Sequence, residues 1–437
     1  MLEHTQRISF RIPYALLVPM ALIVAIGILN LSSAAQATRP DLYLNQLMRF
    51  GLALILLISA AMVHPRVIRQ FSFVIYGFAI LLLLLVLVVG VTAKGAERWL
   101  VLGPLRIQPS DPAKLALIVA LARYCSLYWP HEGYSIMTMV RPFNISRPLG
   151  VLGIIVLLLV KSSHDAQIFS NQLLVSKTGM IMMGGLLLCG FSWLAVAIYK
   201  LFQEKFHIAN LIAPIDIALI PFLLIAIEPD LATGVVVLGI SGIMFLYVGI
   251  QRSTLVIGTV TAIVVSVGAY FTLLMDYQKQ RIISFLNPEA DLKGEGYHAM
   301  QSIIAIGSGK ALGKGWRGGT QTQLSFLPEN ATDFVFSVWA EEWGFIACVF
   351  LIGLYFCLLY AMLKLAAKVE DQFSQLICVG VAAYLFIHVM VNIGMVTGLL
   401  PVAGVPLPLM SFGGSSLNIT LISIGLVANV ALWRGEK

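Results

Sequence analysis

The sequence predicts an all-α polytopic integral membrane protein, and three observations lead to that fold class. Of its 437 residues, 59% are hydrophobic and only 11% are charged, which is about half the charge of a typical water-soluble domain. Apolar runs of about 17 to 25 residues, long enough to cross a hydrocarbon core as helix, recur along the whole chain. Basic residues gather in alternate short loops, as the positive-inside rule requires. These features indicate a single transmembrane domain over residues 1–437.

Apolar runs between polar breaks predict about twelve spans. In chain order they are Pro13 to Leu31, Leu47 to Val63, Phe73 to Thr92, Pro112 to Tyr128, Pro148 to Val160, Met180 to Tyr199, Ile208 to Ile227, Leu231 to Ile250, Thr254 to Leu274, Phe336 to Leu363, Gln375 to Val396 and Ser416 to Trp433. The fifth run has only 13 residues, roughly 20 Å of helix. Tilting, local thinning of the bilayer and a re-entrant path therefore all stay open for it.

The loop charges predict the orientation. One side of the membrane receives Arg7, Arg11, Arg66, Arg69, Arg123, Arg141, Arg147, Lys200, Lys205, Arg252, Lys364, Lys368, Arg434 and Lys437. We therefore expect a membrane protein with both termini in the cytoplasm. The outer side then holds Thr92 to Asp111, the break Glu228-Pro229-Asp230, the long segment Met275 to Val335, and Thr397 to Ser415.

The segment Thr397 to Ser415 is apolar but contains three prolines and four glycines. Irregular backbone is not tolerated against lipid at membrane depth, so such a segment must lie against protein or at the membrane surface. It is predicted to be a re-entrant or surface-lying loop that lines a cavity.

Other classes of function are disfavoured by charge and cysteine usage. The net charge is +7, but the basic residues stand at helix ends without interleaved aromatics, which points to anionic membrane lipids and not to nucleic acid. The five cysteines have neither CxxC spacing nor nearby histidines, so neither a disulfide framework nor a metal site is indicated. The run Gly307 to Gly315 resembles a phosphate loop but lacks its first glycine and its final Ser or Thr.

Candidate chemistry lies in the outer segments. Ser110 and Asp111 resemble helix N-cap residues before Pro112, which would put Lys114 about one turn into the membrane. An ionisable group at that depth is costly, so a functional role and snorkelling to the headgroups are both open for Lys114. Asp230 is expected to cap the span that follows it.

The long segment Met275 to Val335 ends at Asp333, which precedes a span. A carboxylate at the mouth of a membrane cavity could act as a general base, while nearby Arg and Lys hold an anionic headgroup. Taken alone, a loop aspartate has this role only rarely. Arg98 and Trp99 are, by the same standard, ordinary residues for a membrane interface.

In combination, these segments closely resemble the SEDS (shape, elongation, division, sporulation) family of bacterial cell-wall polymerases. The matching pieces occur in the family's order: GAERW, QPSDPAK, EPDLAT, GYHAMQSIIAIGSG, GKGW, GTQTQLSFLPE, TDFVF, AEEWGF and NIGMVTGLLPVAGVPLPLMSFGGSS. Three of them, GKGW, GTQ and GVPLPL, resemble the elongation branch of the family more than its division branch. The resemblance implies a bundle of ten family spans plus an inserted pair at 148–205, with a long extracytoplasmic catalytic loop at 275–335.

The resemblance also implies a function and its residues. The expected activity is that of a peptidoglycan glycosyltransferase that polymerises lipid II into β-1,4-linked strands for cell elongation and shape, releasing undecaprenyl pyrophosphate. Asp333 is expected to deprotonate the attacking sugar 4-hydroxyl. The remaining residues expected at the site are Arg98, Trp99, Lys114, Arg281 and Glu329 for substrate binding, and Asp111, Asp230, Thr332 and Ser415 in support.

Cofactors and partners follow from the same resemblance. A divalent cation, Mg²⁺ or Mn²⁺, would suit a pyrophosphate leaving group, although no ligand set is identified. Expected partners are lipid II and undecaprenyl-linked glycan, a class B penicillin-binding protein transpeptidase, other membrane proteins of an elongation complex, and membrane lipids, but no nucleic acid.

The sequence departs from the family pattern at four positions. Asp111 stands where the family usually has Glu, Glu228 where it has Gln, Ala232 where it has Gly, and Ala331 where His is common.

Two other functions stay open at this stage. A flippase or transporter of lipid-linked precursors would also need many spans, broken helices and intramembrane charges. A non-catalytic scaffold of a cell-wall synthase would leave Asp333 dispensable. Polymerisation of lipid II, and its loss on Asp333→Asn, separates the three.

Overall fold

The computed structural model describes residues 13–36, 41–89, 91–93, 96–102, 105–130, 132–140, 213–228, 230–272, 274–288, 291, 294–324, 326 and 329–434. The inserted region predicted at 148–205 lies outside them. The helices of the described part are α1 Tyr14–Ala34, α2 Leu42–Met62, α3 Pro65–Val89, α4 Ser110–Leu127, α5 Ile136–Val140, α6 Pro214–Ile227, α7 Leu231–Val248, α8 Arg252–Thr272, α9 Asp276–Leu286, α10 Glu295–Ser308, α11 Thr320–Gln323, α12 Val335–Ala366, α13 Gln372–Val396 and α14 Gly414–Leu432.

Eight of these helices are long and apolar enough to cross a membrane: α1, α2, α3, α7, α8, α12, α13 and α14. Two more predicted spans correspond to α6, which is apolar but has only 14 residues, and to α4, which carries Asp111, Lys114 and Arg123. The prediction of an all-α polytopic membrane protein is therefore confirmed. The two spans predicted between 148 and 205 fall on residues that are not described.

A short sheet that the sequence analysis did not predict stands between α3 and α4. Strands β1 Val91–Ala93, β2 Ala96–Leu102 and β3 Leu105–Ile107 pair antiparallel in the order β1-β2-β3. The register places Trp99 opposite Val91 and Leu100 opposite Ile107, residue types that favour strands. The outer segment before α4 is thus a compact hairpin structure and not an open loop.

The start of α4 corrects one expectation. Ser110 is already the first helical residue, and no side chain caps this end of the helix. Asp111 forms an ion pair with Lys114 one turn further on. The proposed N-cap role of Ser110 and Asp111 is therefore wrong, because the carboxylate that would serve the backbone is used by a lysine on the same helix face.

Helix α4 lies at the centre of the bundle and packs against α3, α6, α7 and α13. Small residues make this possible: Ala113, Ala116 and Ala120 are all buried. Across the interface, a Cβ on Gly380 of α13 would come within 3.0 Å of the Met244 sulfur, so α13 approaches its neighbours closely. Small residues at helix contacts allow such close packing in membranes. Asp111 and Lys114 of α4 are consequently held inside protein and not against lipid.

Helix α12 is interrupted at Gly344, whose φ of +75° is non-helical. The segment Gly309–Gly315, which follows α10, fills the break. The Phe345 N–H donates to the Lys310 carbonyl at 2.8 Å, and the Gly315 N–H donates to the Glu342 carbonyl at 2.9 Å. A Cβ added at Gly309 would clash with the Ala340 carbonyl oxygen. The segment Gly309–Gly315, part of the run that resembles a phosphate loop, therefore satisfies backbone hydrogen-bonding groups at the break in α12. It is called the splint below.

Glu341, inside the same break, anchors the chain that leads from the splint to α11. Its side chain is fully buried and accepts from Lys314 Nζ at 2.8 Å. It also accepts from the Gln321 N–H at 3.0 Å and the Thr322 hydroxyl at 3.0 Å. A buried carboxylate needs this degree of hydrogen bonding, and here it fixes residues 314–322 to the membrane helix.

One end of the bundle, called the basic end below, contains the α2–α3 turn, the α12–α13 turn and the end of α14. Asn429 of α14 donates to the Ala61 carbonyl at the end of α2 at 2.9 Å, and Arg69 of α3 forms an ion pair with Asp371. Asp371 also caps α13 by accepting from the Ser374 N–H. Burial acts to raise the pKa of Asp371, but bonds from Ser374 and Arg69 outweigh it, so the pKa lies below its ordinary value.

Candidate active site

The opposite end of the bundle, called the site end, contains the end of α1, the start of α2, the end of α13 and the start of α14. Between α13 and α14 the predicted irregular segment is present and is called the buried loop below. Val405 and the run from Leu407 to Ser411 are buried in it, Leu399 and Gly404 are exposed, and the rest is half-buried. It lies against α1, where a Cβ on Gly27 would come within 2.9 Å of the Leu409 carbonyl oxygen. The loop therefore packs against helices of the bundle, as expected of irregular backbone in a membrane protein.

The first polar centre of the site end is the pair Asp111 and Lys114. Lys114 Nζ lies 2.8 Å from Asp111 Oδ1, with side-chain exposures of only 5% and 9%. The Ser415 hydroxyl faces the Asp111 carboxylate, and Lys114 Nζ sits 5.9 Å from the ring centroid of Tyr384. The structure thus holds a cation in the bundle interior, with its counter-charge fixed by the start of α14.

Further polar residues of α13 surround this pair. The Tyr384 hydroxyl lies 2.9 Å from the Thr420 hydroxyl, and the ring centroids of Tyr384 and His388 are 4.6 Å apart. His388 Nδ1 lies 3.4 Å from the Pro406 carbonyl oxygen. These contacts connect the first centre to the buried loop.

Asp230, predicted to cap a helix, does so. It accepts from the Thr233 N–H at 3.3 Å and from the Thr233 hydroxyl at 2.9 Å at the start of α7. Gln108, next to α4, reaches the same carboxylate at 3.4 Å. The negative charge of Asp230 also acts on Lys114, so Asp230 lies at the periphery of the first centre.

The second polar centre is the turn 329–334, which carries Asp333. Glu329 adopts a left-handed φ of +53°, and its carbonyl accepts from the N–H groups of Thr332 and Asp333, both at 3.1 Å. The Glu329 carboxylate accepts from the Thr332 hydroxyl at 3.1 Å. Asp333 itself is half-buried, and Gly404 of the buried loop lies so close that a Cβ there would be 3.6 Å from Asp333 Oδ2.

The buried loop and the end of α13 hold this turn by its backbone. Three consecutive carbonyl groups accept a hydrogen bond from them: Ala331 from the Phe412 N–H at 2.8 Å, Thr332 from the Ser411 hydroxyl at 2.6 Å, and Asp333 from Asn392 Nδ2 at 2.9 Å. The segment from Asn392 to Ser415 therefore contacts both centres, since Ser415 reaches Asp111.

The structure sorts the predicted site residues into groups. It brings Lys114, Asp111, Ser415 and Asp230 together in the first centre. It places the second group on one turn, comprising Asp333, Thr332 and Glu329.

Three predicted substrate-binding residues are not part of the contacts described above. Trp99 is half-buried on β2, and Arg281 is half-buried on α9. The side chain of Arg98 lies outside what the structure describes. Their binding roles remain predictions.

Several site residues were missed by sequence reasoning: Tyr384, His388, Asn392, Ser411, Gln46 and Arg49. The first three follow one another at intervals of four along an apolar span, so they share one helix face, and this spacing could have revealed them. Gln46 Nε2 donates to the Ser411 carbonyl at 3.2 Å, and the Arg49 guanidinium lies 4.5 Å from the Phe412 ring centroid. Only the fold brings these α2 residues to the loop.

No cluster of three or more His, Cys, Asp or Glu side chains that could hold a metal ion occurs among the residues described by the structure.

Comparison with known proteins gives one family. The model of the FtsW/RodA/SpoVE cell cycle proteins matches residues 8–203 and 186–435. The peptidoglycan glycosyltransferase MrdB of Escherichia coli strain K12 is 32% identical over 419 residues, covering 96% of this chain and 92% of MrdB. The peptidoglycan glycosyltransferase RodA of Treponema pallidum is 32% identical over 435 residues, covering 95% of this chain and 96% of RodA.

Solved structures agree with this assignment. A chain solved in work on the coordination of polymerization and crosslinking by a peptidoglycan synthase complex is 29% identical, with a TM-score of 0.70, and covers 97% of this chain and 98% of its own length. Thermus thermophilus RodA is 28% identical with a TM-score of 0.58 and the same coverage. The chain therefore belongs to the FtsW/RodA/SpoVE family of cell cycle proteins, the family that its motifs predicted.

Proposed function

We infer that this chain is a multi-pass membrane peptidoglycan glycosyltransferase that serves cell elongation and rod shape. The relatives named for this activity include MrdB and RodA, and the chain matches them over nearly their whole length. Eight long apolar helices within the described part of the chain are those of a membrane protein.

The substrate proposed for this activity is lipid II. In each step the 4-hydroxyl oxygen of an acceptor sugar attacks the anomeric carbon of the donor, a new C–O bond forms, and the bond to undecaprenyl pyrophosphate breaks. The hydroxyl proton must go to a base, and the pyrophosphate leaves with its negative charge. Such a reaction needs one positioned base and one or more fixed cations.

The main support for this function is that one segment, from Asn392 to Ser415, lies beside both the candidate base, Asp333, and the ion pair of the candidate cation, Lys114. It holds the turn of Asp333 through the Asn392 hydrogen bond, and its Ser415 faces Asp111, the ion-pair partner of Lys114. We assign proton removal to Asp333 and neutralisation of the pyrophosphate to Lys114. Arg98, Trp99, Arg281 and Glu329 are proposed to hold the remaining parts of the lipid-linked sugars.

The proposal places the site end outside the cytoplasm and both termini inside. The loops that the charge pattern assigned to the cytoplasm, at the α2–α3 and α12–α13 turns, meet at the basic end through the Arg69–Asp371 ion pair. Asp333 and Ser411 belong to the other end. A lipid-linked substrate would then be polymerised on the outer face of the membrane.

A class B penicillin-binding protein is the proposed partner, together with other membrane proteins of an elongation complex. Its support is the similar chain solved from a peptidoglycan synthase complex. Co-purification with a candidate transpeptidase tests it. The Mg²⁺ or Mn²⁺ requirement stays a prediction, tested by the polymerisation rate with a chelator and after returning either ion, and no step is assigned to it here.

In the deciding experiment, labelled lipid II is added to proteoliposomes that contain the purified chain, either alone or with the partner transpeptidase. Glycan strands resolved on a gel are expected, with undecaprenyl pyrophosphate as co-product. Movement of lipid II between leaflets without strands would favour a transporter instead. Strands formed only by other enzymes, with this chain merely increasing their yield, would favour a scaffold.

A further inference from the structure

We propose that Asn392 and Ser411 are positioning residues, which set the place of the Asp333 carboxylate without touching substrate. The inference deepens the proposed function and rests on it. Both side chains donate to backbone carbonyls of the Asp333 turn, although they lie 59 and 79 residues away from their partners in the sequence.

Asn392 makes two bonds with a single amide group. Its Nδ2 donates to the Asp333 carbonyl at 2.9 Å and to the Val405 carbonyl at 2.8 Å. The side chain is completely buried, and its Oδ1 has no hydrogen-bond partner among the residues that the structure describes. A buried amide oxygen without a partner is destabilising, so an apolar residue would be expected here if the site served packing alone. The retained amide joins the turn to the buried loop at one point.

Ser411 makes a second joint of the same kind. Its hydroxyl donates to the Thr332 carbonyl at 2.6 Å and accepts from the Leu407 N–H at 2.8 Å. The second bond closes a tight turn inside the buried loop, while the first attaches that turn to the residue before Asp333. Loop shape and base position are therefore linked through one hydroxyl group.

Together these bonds leave Asp333 little backbone freedom. Its N–H donates to the Glu329 carbonyl at 3.1 Å, and its own carbonyl is held by Asn392. The backbone of Asp333 is thus held at both its N–H and its carbonyl group. A displacement of about 1 Å at a reacting group can lower the rate by about 100-fold. Removal of either joint should therefore lower kcat about 10- to 100-fold and change KM by less than about threefold.

Four variants test the inference in the lipid II polymerisation assay: Asn392→Ala, Ser411→Ala, Ser411→Thr and the control Asn429→Ala. Asn429 is matched because it is also buried and also donates to backbone carbonyls, but at the basic end. Thermal unfolding in detergent is measured for each variant, so that lost activity can be compared at equal loss of stability.

We expect Asn392→Ala and Ser411→Ala to lower kcat as stated, and Ser411→Thr, which keeps the hydroxyl, to recover most of it. Asn429→Ala should lose comparable stability with kcat within about threefold of the unchanged chain. If Ser411→Ala, the milder variant, loses no more kcat than Asn429→Ala, the positioning role is wrong. The proposed function fails separately, if the unchanged chain makes no glycan or if Asp333→Asn is fully active.

Discussion

Replacing Lys114 by methionine should destabilise the bundle by about 3 kcal/mol. The ammonium group is 2.8 Å from Asp111, and the two side chains are only 5% and 9% exposed. Removing one partner of a buried ion pair typically costs about 3–5 kcal/mol, because the other charge stays buried. The lower end applies here, since the polar Ser415 side chain still faces the carboxylate. A change of this size shifts the unfolding equilibrium about 100-fold.

The assay is unfolding by SDS in mixed micelles, followed by tryptophan fluorescence, for Lys114→Met, Asp111→Asn and the double variant. Once both charges are absent, neither is left unpaired, so the double variant should be more stable than the sum of the single losses by at least about 1 kcal/mol. Losses that simply add would refute the claim that the two residues act as a pair.

Activity gives the second half of this test. If Lys114 neutralises the leaving pyrophosphate, the double variant should recover stability and still fail to polymerise lipid II. A double variant with recovered activity would mean that the lysine serves only the fold.

Three further predictions concern the fold and its orientation. Gly309→Ala should destabilise the protein by about 1–3 kcal/mol, because its Cβ would clash with backbone atoms. Gly307→Ala has open space around it and should be neutral or slightly stabilising. Equal effects of the two variants in the unfolding assay would contradict the close packing of residues 309–315 in the break of α12. Because the pKa of Asp371 is lowered in the folded protein, its ionised carboxylate stabilises the fold. This stabilisation is complete above the ordinary carboxyl pKa and is lost as the pH falls through the lowered pKa. Asp371→Asn should therefore lose less stability than the unchanged chain when the pH of an unfolding assay is lowered through this range. In a cysteine-free parent, Leu312→Cys should react with an impermeant thiol reagent added outside intact cells and Glu370→Cys should not, and the reverse labelling would overturn the orientation.

Composition and periodicity were sufficient for the membrane class and for ten of the helices. These depend on local physics, since a run of apolar residues must cross the bilayer as helix wherever it occurs. The break at Gly344 was not predictable in this way, because the donors left without helical partners are satisfied by Lys310 and Ala311 from another part of the chain. The sheet before α4 was missed because its strands are short.

The site was only partly readable for the same reason. Asp333, Lys114 and Asp230 stood out as charges beside or within apolar runs, and family motifs assigned roles to them. Asn392 and Ser411 carry no charge, and their importance lies in bonds to carbonyls far away in the sequence. Lys114 was left between function and snorkelling, and its burial against Asp111 now excludes snorkelling to the membrane surface.

The initial rate of lipid II polymerisation by Asp333→Asn tests whether Asp333 is the base for glycan polymerisation. The matched control is Asp371→Asn, the same chemical change at the basic end, where Asn remains a good helix cap. We predict a loss of at least about 100-fold for Asp333→Asn, as for general bases, and a change of less than about threefold for the control. Equal rates for the two variants would contradict the assignment of Asp333 as the base.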